Sequence, residues 1–77
     1  MTLAEAVAVR LKRILKQKGY TQYFLYKEGG VPRSTVNNVI RASKGAARLE
    51  TLYQICSTLG ITLKEFFDDP VFEKVEN

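Results

Sequence analysis

The sequence predicts an all-α fold, a compact bundle of five short helices, from three observations. Apolar residues recur every three or four positions in several segments, which is the spacing of one helix face. Two capping-box patterns, Thr2 with Glu5 and Thr62 with Glu65, mark helix starts, and glycines follow the apolar stripes. No stretch alternates apolar and polar residues as a half-buried strand does, although residues 23–26, YFLY, have strand propensity.

The first three helices follow from apolar spacing and from the residues at their ends. Helix 1 is predicted over about 3–18, where aliphatic residues keep the helical period up to a glycine. Helix 2 is predicted over about 22–28, with a threonine before it and two glycines after it. Helix 3 is predicted over about 32–41, because Pro32 suits a first turn, where the N–H that it lacks is not needed. The apolar residues on its inner face are Val36, Val39 and Ile40.

The second half of the chain predicts two more helices and a tail. A clear apolar stripe that stops at a glycine predicts helix 4 over about 49–59. The second capping box opens helix 5, about one and a half turns long, which the sequence Asp-Asp-Pro ends. We therefore expect a single domain over 1–70 and a carboxyl-terminal tail over 71–77 that could be loose.

Composition excludes several classes of protein. One cysteine, Cys56, rules out an internal disulfide, and the absence of histidine rules out the usual Cys/His zinc site. No histidine, no clustered carboxylate pair and no glycine-rich phosphate loop are present, so we expect neither an enzyme nor a cofactor. Charged residues interrupt the first apolar segment at Arg10, Lys12 and Arg13, which predicts a cytoplasmic protein without a membrane span.

Charge is distributed unevenly along the chain. Residues 1–48 hold ten Lys and Arg against two Glu, a net charge of +8, whereas residues 49–77 hold two Lys against six Asp and Glu, a net charge of −4. A basic amino-terminal region indicates a polyanionic partner, because cations that neutralise phosphates release counterions. The alternative is that these charges only form the solvated surface of a basic protein.

The segment GGVPRSTVNNVI, residues 29–40, combines an apolar inner face with polar outer faces. Amide and hydroxyl side chains pair with base edges, and an arginine fork matches the two acceptors of guanine in the major groove. The alternative is an ordinary solvated helix surface. The polar residues that make helix 3 a candidate for contact with DNA are Arg33, Ser34, Asn37, Asn38 and Arg41.

The order of these parts resembles the phage repressor and Cro type of helix-turn-helix protein, the XRE family. The resemblance covers about residues 7–67, and it rests on TQYFLYKEGGVPRSTVNNVI followed by LETLYQICSTLGITLKEFF. Gln22, Leu25, Gly30 and the TLGIT junction fall where that pattern expects them. The resemblance implies that helix 3 lies in the major groove and helix 2 crosses the backbone, usually as a dimer on a two-fold symmetric site.

The resemblance also implies roles for individual residues. The implied base readers are Arg33, Ser34 and Asn38. Gln22 would form a hydrogen bond with a phosphate and orient the first of the base-reading residues. Asn37 is either a phosphate contact or only solvated. The cations at and beyond the end of helix 3 would contact the sugar-phosphate backbone, where they fix the register of the protein on the duplex and do not read its sequence. These cations are Arg41, Lys44 and Arg48.

The chain departs from the family pattern at several positions. Leu15 and Ile40 replace a buried ion pair, and we predict that the two side chains touch. Tyr26 replaces a small residue and Gly29 an aliphatic one, so the tyrosine ring is expected to fill the space left at the glycine. Ala42 replaces the customary glycine after helix 3.

The sequence thus predicts a sequence-specific regulator that binds double-stranded DNA, expected to be a repressor. The alternatives are an antitoxin or a restriction-modification controller of the same fold, or a protein–protein interaction module without DNA binding. We expect no small-molecule ligand and no metal. A homodimer is expected through helix 5 and the tail, unless the apolar residues there close the monomer core instead. Those residues are Phe66, Phe67, Val71 and Phe72.

Overall fold

The structure, a computed structural model, describes residues 1–76 and is all-α over that range. The five predicted helices are present close to their predicted ends, and a short 3-10 helix follows them. They are α1 (Leu3–Lys18), α2 (Gln22–Gly29), α3 (Arg33–Ile40), α4 (Leu49–Leu59), α5 (Leu63–Phe67) and the 3-10 helix Pro70–Lys74. Both capping boxes form as predicted, whereas Thr21 and Pro32 occupy cap positions without a side-chain hydrogen bond.

One hydrophobic core joins all five α-helices. Its largest fully buried side chains are Phe66, Leu11, Leu25 and Ile55, each from a different helix. Helix α1 packs on α3, and α2 packs on α4. Leu15 is buried in this core and Ile40 packs against it, and direct contact between the two stays a prediction. Because Val36 and Val39 belong to the same core, α3 is held along its inner side.

Arg10 connects α1 to the carboxyl end of α5. Its Nε donates to the carbonyl oxygen of Phe66 at 2.7 Å, and its Nη2 donates to that of Glu65 at 2.8 Å. Its Nη1 lies 3.3 Å from Asp69 Oδ2, which Arg13 also reaches at 3.2 Å. The last carbonyls of a helix lack partners within the helix, so the Arg10 guanidinium caps α5.

Residues 71–76, expected as a loose tail, are packed against the domain. Val71 is buried, Phe72 packs against the core, and the Glu76 N–H donates to the Met1 carbonyl oxygen at 3.0 Å. Asn77 lies outside the described residues. Phe66 is also fully buried, which leaves Phe67 as the exposed member of the apolar set that was considered for a dimer interface. Most of that set therefore closes the monomer core.

Helix α3 ends in a left-handed residue that is not glycine. Ala42 has φ 57°, and the Ser43 N–H behind it donates to the Asn38 carbonyl oxygen at 2.9 Å. This is the hydrogen-bond pattern that usually follows a terminal glycine, as it does at Gly19 after α1. Because a Cβ raises the energy of this conformation, the end of α3 is under local strain.

Gly29 allows α2 to approach α4 closely, and we predict that alanine at this position destabilises the fold. An added Cβ would overlap the hydroxyl of Thr58 and crowd its Cγ2 and Cβ. The Thr58 hydroxyl is held in place because it donates to the Gln54 carbonyl oxygen at 2.9 Å. We expect Gly29→Ala to lower the free energy of unfolding by about 1 to 2 kcal/mol, measured by urea denaturation.

The same substitution should act in the opposite direction once Thr58 is truncated. In the Thr58→Ala background the overlapping atoms are absent, and the better helix propensity of alanine should then raise stability by up to about 1 kcal/mol. A double-mutant cycle measures this change of sign as a coupling between the two positions. Equal effects of Gly29→Ala in both backgrounds would contradict the close contact.

Asp69 should make stability depend on pH. Its pKa lies below the ordinary value because the Val71 N–H donates to the carboxylate and because Arg13 and Arg10 lie beside it, although burial opposes this shift. The unfolded chain then binds more protons, so the stability from Asp69 is present at neutral pH and lost as pH falls below about 5. Thermal melts should show that the gap between Asp69→Asn and the unaltered protein closes with acidification. Asp68→Asn, at the exposed neighbouring position, should leave the pH profile unchanged.

Candidate nucleic-acid interface

The turn between α2 and α3 is short and rigidly anchored. Gly30, in the left-handed conformation with φ 65°, ends α2 and redirects the chain. Val31 is 2% exposed, and its N–H donates to the Leu25 carbonyl oxygen at 3.3 Å. A glycine that permits the turn and a valine that pins it to the core fix α3 relative to α2.

The outer side of α3 is exposed to solvent. Val36 and Val39 are 0% and 1% exposed on the inner side, whereas the implied base readers are all exposed. Asn37, which lies between them, is exposed as well. Helix α3 therefore presents guanidinium, hydroxyl and amide groups to solvent along a surface of two turns. The exposed base readers are Arg33, Ser34 and Asn38.

Tyr26 links the amino end of α2 to α3. Its hydroxyl lies 3.2 Å from Gln22 Oε1 and 3.1 Å from Asn37 Oδ1, and its ring lies beneath the Arg33 guanidinium, 5.2 Å from Cζ to the centroid. The expectation that this ring fills the space at Gly29 is wrong, because Thr58 occupies that space. The sequence indicates that the Tyr26 hydroxyl reaches a partner or water, but not that its partners are the candidate DNA contacts Gln22 and Asn37.

The cations after α3 divide into two groups. Asn38, Lys44 and Arg48 line the same polar groove, about 360 Å³ in volume, between α3 and the loop that leads to α4. Arg41 instead borders a depression beside Lys12 on the α1 side. The structure thus brings one predicted base reader together with two predicted backbone contacts, and it places Arg41 apart from them.

The cations of this surface are available to an external anion. Within residues 1–76 the ion pairs are those of Arg10 and Arg13 with Asp69, so part of the amino-terminal basic excess is neutralised internally. The candidate contacts make no ion pair within this range, and they therefore retain their charge for a polyanion. These cations are Arg33, Arg41, Lys44 and Arg48.

Other kinds of site receive no support from the described residues. Residues 1–76 contain no group of three or more potential metal ligands, and none of their helices has the length and apolarity needed to cross a membrane. Cys56 is buried among apolar side chains, and burial raises its pKa to about 11 even though Arg10 opposes the shift. The thiol is therefore protonated at neutral pH and poorly nucleophilic.

Two short helices joined by an anchored glycine turn, with an exposed polar second helix, define the helix-turn-helix class of DNA-binding proteins. A family model described as helix-turn-helix matches residues 11–66, and the chain belongs to this family, in its repressor and Cro type. It is accordingly a DNA-binding transcriptional regulator with double-stranded DNA as its partner, and the family is regulatory rather than enzymatic. No curated protein and no solved structure gives a significant match.

Proposed function

We propose that the protein is a sequence-specific repressor that reads the DNA major groove with α3. The observation that carries this proposal is the division of α3 between buried Val36 and Val39 on one side and exposed Arg33, Ser34 and Asn38 on the other. The major groove admits a helix of this kind, and a helix that packs on the core with one side and exposes the other can enter it without rearrangement.

Within this proposal the polar residues divide between bases and backbone. Arg33 would pair with guanine, and Ser34 and Asn38 would pair with base edges farther along α3. The remaining candidates would bind phosphates and fix the register of the helix on the duplex. These backbone contacts are Gln22, Asn37, Arg41, Lys44 and Arg48.

A homodimer on a two-fold symmetric operator is part of the proposal. Phe67, 38% exposed and packed against Phe66 and Phe72, supports an interface at α5 and the following 3-10 helix. Half-sites should then be centred about one DNA turn apart. Sedimentation over a range of concentrations tests the dimer, and a chain that stays monomeric at about 50 µM would count against it, since the two half-sites would then have to bring the protomers together.

Selection of duplexes from a random pool, followed by titration at two salt concentrations, tests the function. Three cationic phosphate contacts per protomer give about six in a dimer, for which affinity should fall roughly a thousandfold between about 50 and 200 mM salt. The selected duplexes should share a two-fold symmetric sequence. Recovery of no preferred sequence would contradict specific reading, and no binding at low salt would favour a protein–protein interaction module.

A further inference from the structure

The aromatic ring of Tyr26 lies at the centre of the candidate interface. Five polar side chains of α2 and α3 are candidate DNA contacts, and three of these contact the tyrosine. Tyr26 is half-buried, so its ring is supported by the domain while its hydroxyl faces the two helices. No role in DNA binding has yet been given to this residue. The side chains that it contacts are Gln22, Arg33 and Asn37.

We propose that Tyr26 is a specificity-determining positioning residue, whose ring fixes the Arg33 guanidinium for base reading and whose hydroxyl orients the Gln22 and Asn37 amides. The inference rests on the proposed function and deepens it. An arginine side chain in solution samples many rotamers, and each must be given up when the guanidinium binds a base edge. A guanidinium that already lies over an aromatic face has lost much of that freedom before DNA arrives.

The hydroxyl imposes a second constraint. A phenol carries one proton, so Tyr26 can donate to only one of the two amide oxygens near it. The other amide must turn its NH₂ toward the phenol oxygen to make a hydrogen bond there. One amide of the pair Gln22 and Asn37 therefore offers donors outward, and the other offers its oxygen. An outward NH₂ suits a phosphate, so the residue whose oxygen accepts from the hydroxyl is the one prepared for the backbone.

The contact between ring and guanidinium can be tested in the free protein. The side-chain protons of Arg33 should resonate upfield in NMR spectra because they lie over the ring, whereas those of Arg41 should not. Tyr26→Phe keeps the ring and should keep the shift, and Tyr26→Leu should abolish it. Arg33 shifts that are ordinary in the unaltered protein would overturn the inference.

The effect on DNA reading is tested with the selected duplex and a mixed-sequence duplex. Tyr26→Leu should weaken binding to the selected duplex about fivefold, which corresponds to about 1 kcal/mol because a tenfold change is roughly 1.4 kcal/mol. The substitution should also relax the preference at the base pair read by Arg33. Binding to the mixed-sequence duplex should fall less than binding to the selected duplex, because only the orientation of the Gln22 and Asn37 amides is lost there and the cationic phosphate contacts remain. Tyr23→Leu is the matched control, since Tyr23 is an exposed tyrosine of the same helix with Lys27 beside its ring.

A double-mutant cycle separates positioning from a merely structural role. In the Arg33→Ala background, Tyr26→Leu should cause a smaller loss of specific affinity than in the unaltered protein, because the guanidinium that its ring fixes is gone and only the Gln22 and Asn37 amides remain to be oriented. If Tyr26→Leu weakened binding to both duplexes equally, or caused the same loss of affinity in the Arg33→Ala background, the inference would be overturned and the proposed function would stand. Absence of duplex binding by the unaltered protein would overturn the proposed function with it. Thermal melts confirm that each variant is folded, and Tyr26→Phe provides the ring-retaining comparison if the leucine variant is not.

Discussion

Arg10→Met should lower the free energy of unfolding by about 2 to 4 kcal/mol, because it removes the charged donor that caps α5. The guanidinium makes three hydrogen bonds, to the carbonyl oxygens of Phe66 and Glu65 and to the carboxylate of Asp69. The Arg10 side chain is 14% exposed, so water can only partly replace these bonds. Methionine retains much of the apolar stem and removes the side-chain donor from the Phe66 and Glu65 carbonyl oxygens, whereas the Asp69 carboxylate keeps Arg13 and the Val71 N–H. Urea denaturation at neutral pH measures the loss.

Arg13→Met is the matched control for this prediction. Arg13 reaches the same carboxylate at a similar distance, but its side chain is 48% exposed and, within residues 1–76, its side-chain hydrogen bonds are to Asp69 alone. An exposed ion pair of this kind contributes at most about 1 kcal/mol. If both variants lost the same stability, the contacts of Arg10 with the α5 carbonyls would contribute nothing, and the cap would be refuted.

Arg33→Ala and Lys44→Ala should weaken DNA binding in different ways. Loss of a guanidinium that pairs with guanine should reduce affinity for the selected duplex by about 1 to 3 kcal/mol and relax the preference at one base pair. Loss of a phosphate contact at Lys44 should weaken all duplexes alike and reduce the salt dependence by about one counterion per protomer. Competition titrations at several salt concentrations measure both quantities.

Arg48→Ala extends this comparison within the same groove. Lys44 and Arg48 both line the groove beside Asn38, so the two substitutions should have similar effects on the salt dependence. Lys16→Ala, at an exposed position of α1, should leave DNA binding unchanged. A relaxed base preference for Lys44→Ala, or an unchanged preference for Arg33→Ala, would reverse the assigned roles.

Much of the fold could be predicted because local sequence signals agree with one another. The Thr2 and Thr62 capping boxes, the glycines after helices and the helical spacing of apolar residues each act over a few residues. The two sides of α3 could be predicted for the same reason, since Val36 and Val39 are three residues apart and therefore fall on one side of the helix. These features depend on backbone geometry that the neighbouring residues alone determine.

The features that could not be predicted join residues far apart in the chain. In the sequence, nothing local indicates that Arg10 and Asp69 come within 3.3 Å of each other in the folded protein. The 3-10 helix that Asp69 caps was not predicted either. Thr58 fills the space at Gly29, where the sequence predicted the ring of Tyr26. The position of Tyr26 depends on how α2 crosses α3, which no local pattern specifies.

The contact between the two ends of the chain has a consequence for the order of folding. Met1 and Glu76 are hydrogen-bonded, as Arg10 is to residues of α5, so these contacts close loops that include most of the polypeptide. Loop-closure entropy grows with the number of residues enclosed, whereas α2, α3 and α4 meet across short connections. The central helices can therefore assemble early, and the joining of the ends would complete the native state as its last and most readily reversed step.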